Sequence, residues 1–146
     1  MEMLNATLAN FYERDFRKLI EEVNLFKNEA NLWSTQGSVK NSSGNLVLHI
    51  IGGMNFLIGT LLAQTGYIRD RNQEFSRKGV DRKTLVTQLE DLIPLVTNTL
   101  SSLPLSSEYP IEFDGGIRSN GHVMLQLSLH LNYHLGQVNY LRRILE

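Results

Sequence analysis

The chain has 146 residues, of which 42% are hydrophobic and 20% charged, and its formal net charge is −1. That length suits one domain over residues 1–146, and the composition is that of a folding chain rather than a disordered one. The near-neutral charge lacks the basic footprint of a nucleic-acid binder. The absence of cysteine excludes disulfide scaffolds, thiolate metal sites, iron–sulfur clusters and a cysteine nucleophile.

The first predicted helix runs from about Leu4 to Ala30. Tyr12, Phe16, Leu19, Val23, Phe26 and Ala30 alternate steps of four and three on one stripe, with Glu13, Arg17, Glu21 and Lys27 mostly outside it. Asn28, Asn31, Ser34, Gln36 and Gly37 then read as a loop, and Trp33 as core closure rather than a lid. The second helix starts at the capping cluster Asn41-Ser42-Ser43, reaches about Gln64 and stops at Gly66. Its stripe is Val47, Ile50, Met54, Leu57 and Leu61. Gly44, Gly52, Gly53 and Gly59 interrupt it, either for close helix packing or to leave room for a ligand. The charge run from Arg69 to Lys83 reads as a solvated loop and helix start.

The third helix runs from an Asp81 cap to about Leu100, with Leu85, Leu89, Leu92, Val96 and Leu103 carrying its core face. Pro94 inside it predicts a kink or a break, because proline removes a backbone donor and clashes with the preceding turn. Residues 101–120 form a long loop with a short extended piece at Tyr109–Phe113. The fourth helix runs from about Ser119 to Leu145, with Arg142 and Arg143 at its negative end. These elements predict an all-α fold, a four-helix bundle. No uninterrupted apolar run reaches the ~18–20 residues of a membrane span. The first residues, Met1-Glu2-Met3-Leu4-Asn5, are not a basic region followed by an apolar stretch, so no membrane contact and a cytoplasmic address are expected.

The chemistry lies in the histidines. On the fourth helix Val123, Leu127, His130, His134, Gln137, Leu141 and Ile144 alternate steps of four and three, as residues facing a bundle core do. Three consecutive polar positions in such a seam require a common purpose, because a buried polar group without a partner costs about 1–3 kcal/mol. His130 and His134 are four apart, so their rings project side by side and can chelate one divalent ion; the alternative is two satisfied core histidines or a surface pair. His49 is the other histidine on a predicted core-facing helix, and Gly53, four residues on, leaves a gap on its face. His122 lies off the seam and reads as a surface residue. Three neutral imidazoles leave an open position on the metal, which is the mark of a catalytic site. Such an ion lowers the pKa of bound water to about 7 or ionises a substrate thiol. Gln137 and Asn45 are candidates to orient the ligands, by helical spacing alone, and no general base stands on the same faces.

The stretch His130-Leu-Asn-Tyr-His134-Leu-Gly-Gln137-Val-Asn-Tyr-Leu-Arg142-Arg143 resembles the last helix of the DinB/YfiT-like superfamily. Asn41-Ser-Ser-Gly44-Asn45-Leu-Val-Leu-His49 resembles the start of its second helix, and Tyr67-Ile-Arg69-Asp-Arg71-Asn-Gln-Glu74-Phe75 the segment that follows in an uncharacterised branch. The resemblance implies a four-helix bundle, commonly a homodimer, with a divalent metal (nickel, zinc, iron or manganese) on His49, His130 and His134. It further implies a metal-dependent S-transferase or isomerase acting on a small-molecule substrate with a low-molecular-weight thiol such as bacillithiol or mycothiol. Pro94 and the bare Gly52-Gly53 pair depart from the family pattern. In this reading Arg69 or Arg71 holds a substrate carboxylate. The competing expectations are a non-catalytic, stress-linked binding or dimerisation module, and a metal-dependent hydrolase that needs no thiol.

Overall fold

A computed structural model describes residues 2–146. Among these the chain is all-helical and carries no strand, only two isolated bridges, Glu108 with Ser119 and Phe113 with Gly116. The expected extended piece at Tyr109–Phe113 is thus reduced to two bridge contacts in a loop.

Helix α1 spans Glu2–Leu25 and buries Leu8, Tyr12, Phe16, Leu19 and Val23 on one side, as its spacing predicts. It ends five residues before the expected boundary at Ala30. The Asn28 side chain accepts the Ala30 N–H at 3.0 Å and opens a 3₁₀ turn over Glu29–Trp33, so a local side-chain bond replaces helix continuation. The Arg82 guanidinium donates to the carbonyls of Asn24 (3.0 Å) and Phe26 (2.6 Å), satisfying two of the acceptors a helix end leaves open. Phe26 stays in the core, whereas Ala30 is exposed and leaves the predicted stripe. Trp33 closes over Gly44, where a Cβ would sit 2.7 Å from the indole, so this glycine serves close packing.

Helix α2 spans Ser43–Ala63. The Ser42 hydroxyl caps it by accepting the Asn45 N–H at 3.2 Å, and every residue from Ser43 to Met54 is buried. Asn55–Thr60 widens into a π-helical turn. The helix stops with Gln64 and Gly66 at φ 55° and 78°. By length and composition this helix could cross a membrane, contrary to the expectation from uninterrupted runs. Yet 56% of its apolar window is buried inside the fold. Helix α3, Arg71–Ser76, was not expected. Asp70 caps it by accepting the Gln73 N–H at 3.2 Å.

Helix α4, Arg82–Ser101, runs unbroken through Pro94, so of the two outcomes expected at the proline the break does not occur. Both Pro94 and Glu90, whose carbonyl loses its intrahelical donor, are exposed, so water can satisfy that carbonyl. Helix α5, Asn120–Leu145, begins where predicted, with the Ser119 hydroxyl accepting the His122 N–H at 3.1 Å. Its buried face runs through Met124, Leu127, Leu131, Leu135 and Val138, so the predicted histidine seam lies along the edge of that face. His130, Gln137 and Ile144 therefore reach solvent, whereas His134 is buried.

Helix α1 packs on α4 and α5, and α2 lies against α3, α4 and α5 around one continuous apolar core. Polar keys set the register. Asn5 donates to the carbonyls of Leu100 (2.6 Å) and Leu103 (2.9 Å), and Tyr12 to that of Met124. Asp15 accepts from Asn132 at 2.9 Å, and Glu22 from Asn139 (2.6 Å) and Arg142 (2.7 Å). Replacing Pro94 by Ala restores the missing donor on an exposed face. The stabilisation expected is about 1–2 kcal/mol, part of proline's ~3 kcal/mol helix penalty being offset by its rigidity in the unfolded chain. The Tm should rise by roughly 3–6 °C, and a thermal melt in which it falls would show that the proline shape is needed.

Candidate metal centre

His49 comes from the buried half of α2, and His130 and His134 from adjacent turns of α5. The fold brings all three together, and one nitrogen of each ring lies within 4.8 Å of the others. His130 Nε2 stands 3.1 Å from His49 Nε2 and 3.0 Å from His134 Nε2. His122 stays outside the group, exposed and 3.8 Å from Asp114, as the sequence suggested.

The far sides of two rings are tied to acceptors. His49 Nδ1 lies 3.0 Å from Glu74 Oε1, and His134 Nδ1 lies 2.7 Å from Gln137 Oε1. A carboxylate oxygen accepts, and the amide oxygen of Gln137 accepts, so each Nδ1 carries the hydrogen and each Nε2 presents a lone pair. Both lone pairs point toward His130 Nε2, which can carry at most one hydrogen. One hydrogen would have to serve two acceptors, whereas a cation between the rings satisfies all three. The donor set therefore fits a divalent ion, with second-sphere acceptors of the kind that hold ligating imidazoles in one tautomer.

Burial holds all three imidazoles below the usual histidine range. His130 falls furthest, to about 4, from burial first and then from the neighbouring His134, His49, Arg69 and Arg71. For His49 burial outweighs the Glu74 contact, and for His134 it outweighs the Gln137 contact. All three are thus neutral at pH 7 and able to ligate.

Glu74 is the residue that sequence reasoning missed. It is only 5% exposed, although it lies in the charge run read as solvated. Arg69 brackets its carboxylate, Nε to Oε2 at 2.8 Å and Nη2 to Oε1 at 3.0 Å. A Cβ at Gly52 would overlap that carboxylate, and one at Gly53 would touch the Arg69 guanidinium at 3.4 Å. The Gly52-Gly53 pair answers both expectations, close packing and room for a ligand: Gly52 admits this ion pair, and Gly53 lines a cavity beside His49. Gly52 three residues after His49 was the sequence signal for the ion pair. Asn45 holds no histidine. Its amide donates to the carbonyls of Glu74 (2.9 Å) and Arg77 (2.8 Å), and Lys78 donates to its oxygen, so it anchors the segment that carries Glu74. Gln137 does contact a histidine, as expected.

A cavity of about 230 Å³ opens beside His49 and His130. Ile50, Met54, Leu57, Phe113 and Leu127 give it apolar walls, and Arg69, Arg71, Asp114 and Gln126 give it polar ones. The Tyr109 hydroxyl donates to the Leu57 carbonyl at 2.6 Å, which ties the loop bearing Phe113 to α2.

A family model described as "Protein of unknown function (DUF1572)" matches residues 2–146. The chain belongs to the DUF1572 family. No curated protein and no solved structure matches it. In this DUF1572 chain the lowered histidine pKa values give stability a defined acid limb. Above about pH 6.5 the three rings are neutral in both folded and unfolded states. As the pH falls toward 4, the unfolded chain binds protons that the folded one refuses, so metal-free stability declines through that window. Denaturant titrations at pH 7.5 and 4.5 should show the loss, and a His130→Gln/His134→Gln variant should lose less. Equal losses would remove the histidines as the cause.

Proposed function

We propose that the chain is a divalent-metal-dependent enzyme of the DinB/YfiT-like kind, a single-domain four-helix bundle that holds its ion on His49, His130 and His134. The observation that carries this reading is the convergence of three imidazole nitrogens, two of them fixed as lone-pair donors by Glu74 and Gln137. Nickel, zinc, iron and manganese all accept imidazole, and the donor set does not choose among them. A bound divalent ion would supply the positive charge that favours a substrate thiol as its thiolate at neutral pH.

The chain's own residues do the rest. Glu74 fixes the His49 tautomer, and Arg69 holds Glu74 in place. Gln137 does the same for His134. Ile50, Met54, Leu57 and Leu127 give the cavity side apolar walls. Glu74, engaged on both oxygens, is no free general base, and the chain has no cysteine. Both facts favour a reaction whose nucleophile arrives ready-made, a thiol S-transfer from a low-molecular-weight thiol to a small electrophile. A hydrolase using the same ion would turn over without thiol, which separates the two readings. A non-catalytic binding module would tolerate loss of the histidines.

The same proposal includes a cytoplasmic homodimer. Leu125, Leu129, Tyr133, Tyr140 and Ile144 are each more than half exposed along α5, an apolar stripe that a second copy would cover. A monomer in sedimentation velocity at micromolar concentration would end that part.

Metal-stripped protein should take up one zinc or nickel ion per chain, read by elemental analysis after gel filtration. His49→Ala and His134→Ala should abolish uptake, and Glu74→Gln should weaken it by about 10–100-fold. Wild-type protein that neither carries nor acquires a divalent ion would sink the reading. If uptake occurs, turnover of a thiol with an activated electrophile should vanish with His49→Ala.

A further inference from the structure

The cavity beside His49 and His130 receives two arginines from the segment before and at the start of α3, and they differ in one respect. Arg69 is engaged: both of its contacting nitrogens lie on Glu74, at 2.8 and 3.0 Å. Arg71 lines the same cavity and, among the described residues, has no carboxylate within 4.0 Å and no hydrogen-bond acceptor. It is a guanidinium without a partner at the mouth of a pocket whose other walls are largely apolar. Such a group presents a planar fork matched to a carboxylate.

The facing side of the cavity limits how much negative charge fits. Asp114 also lines it, held in the left-handed region at φ 50°. Its carboxylate lies 3.8 Å from the exposed imidazole of His122 and, among the described residues, pairs with no arginine or lysine. One anionic group can settle on Arg71, whereas a second would meet Asp114. The volume of about 230 Å³ is room for a small organic molecule.

We propose that Arg71 is the carboxylate-recognising residue of this cavity, and that the ligand is a small organic monocarboxylate whose other end lies at the three histidines. Arg69, by contrast, commits Nε and Nη2 to Glu74 and positions that carboxylate. This rests on the metal-centre reading for what the far end of the ligand does, but the carboxylate contact itself does not require the metal.

The test uses full-length protein and three small thiols: 3-mercaptopropionate, which has one carboxylate, 2-mercaptoethanol, which has none, and mercaptosuccinate, which has two. Cobalt uptake is measured first, and its failure counts against the metal reading alone. Affinities are then read by calorimetry on the cobalt-loaded protein, or on the metal-free protein if no cobalt binds. 3-Mercaptopropionate should bind about tenfold more tightly than 2-mercaptoethanol, and mercaptosuccinate should gain nothing further. Arg71→Ala, a change at an exposed position, should erase the preference while leaving 2-mercaptoethanol within about twofold. Arg71→Lys should keep part of it, and Asp114→Asn should let mercaptosuccinate bind more tightly. No binding of 3-mercaptopropionate, equal affinity for the first two thiols, or a preference that survives Arg71→Ala would overturn the inference.

Discussion

The structure depends on one buried carboxylate. Glu74 accepts from His49 on one oxygen and is bracketed by Arg69 across both, and it fits because position 52 has no side chain. Burying a carboxylate is costly unless its oxygens are satisfied, and here two partners satisfy them. The arrangement decides which nitrogen of His49 faces the other histidines. It also decides where the segment between α2 and α4 must lie, since Asn45 pins that segment through the backbone carbonyls of Glu74 and Arg77. A short helix that would be marginal alone is thereby held against α2.

The site works against the stability of the metal-free chain. Three rings are desolvated in one place, their nitrogens face one another, and each resists protonation. The compensation lies elsewhere, in the packing of α1 on α4 and α5. There Tyr12, Phe16, Leu19, Leu85, Leu89 and Leu131 are fully excluded from water. Each such side chain contributes about 1.5–3 kcal/mol of transfer free energy, so a tolerably stable scaffold can hold an unfavourable polar cluster. The histidine cluster thus lies at the edge of the apolar core, with α5 contributing to both. Its Leu131 and Val138 side completes the core, and its His130 and Gln137 edge opens to the cavity side and solvent.

Helix α2 carries a second constraint. Its π-helical turn over Asn55–Thr60 follows directly on the residues that line the cavity, and such turns often accompany functional sites. Within it the Leu57 carbonyl receives the Tyr109 hydroxyl. The long loop before α5 is therefore fastened at the cavity wall, and Phe113 and Asp114 are placed to face whatever enters.

The sequence by itself determined the helices that have a long apolar period and a recognisable cap. Ser42 and Ser119 begin α2 and α5 where local chemistry says they should, because capping involves only neighbours in the chain. The i, i+4 pairing of His130 with His134 was likewise legible, since helix geometry alone sets it. The end of α1 was not legible, because Arg82, far along the chain, supplies donors to its last carbonyls. Helix α3 was not, because six residues are too few for a period to register. Only the tertiary structure decided that Glu74 is buried, that Arg69 is engaged while Arg71 is free, and that His49 meets the α5 pair. Periodicity reports which side of a helix avoids water. It does not report which charged side chain from another segment fills the gap a glycine leaves, because that depends on distances between elements the local sequence does not encode.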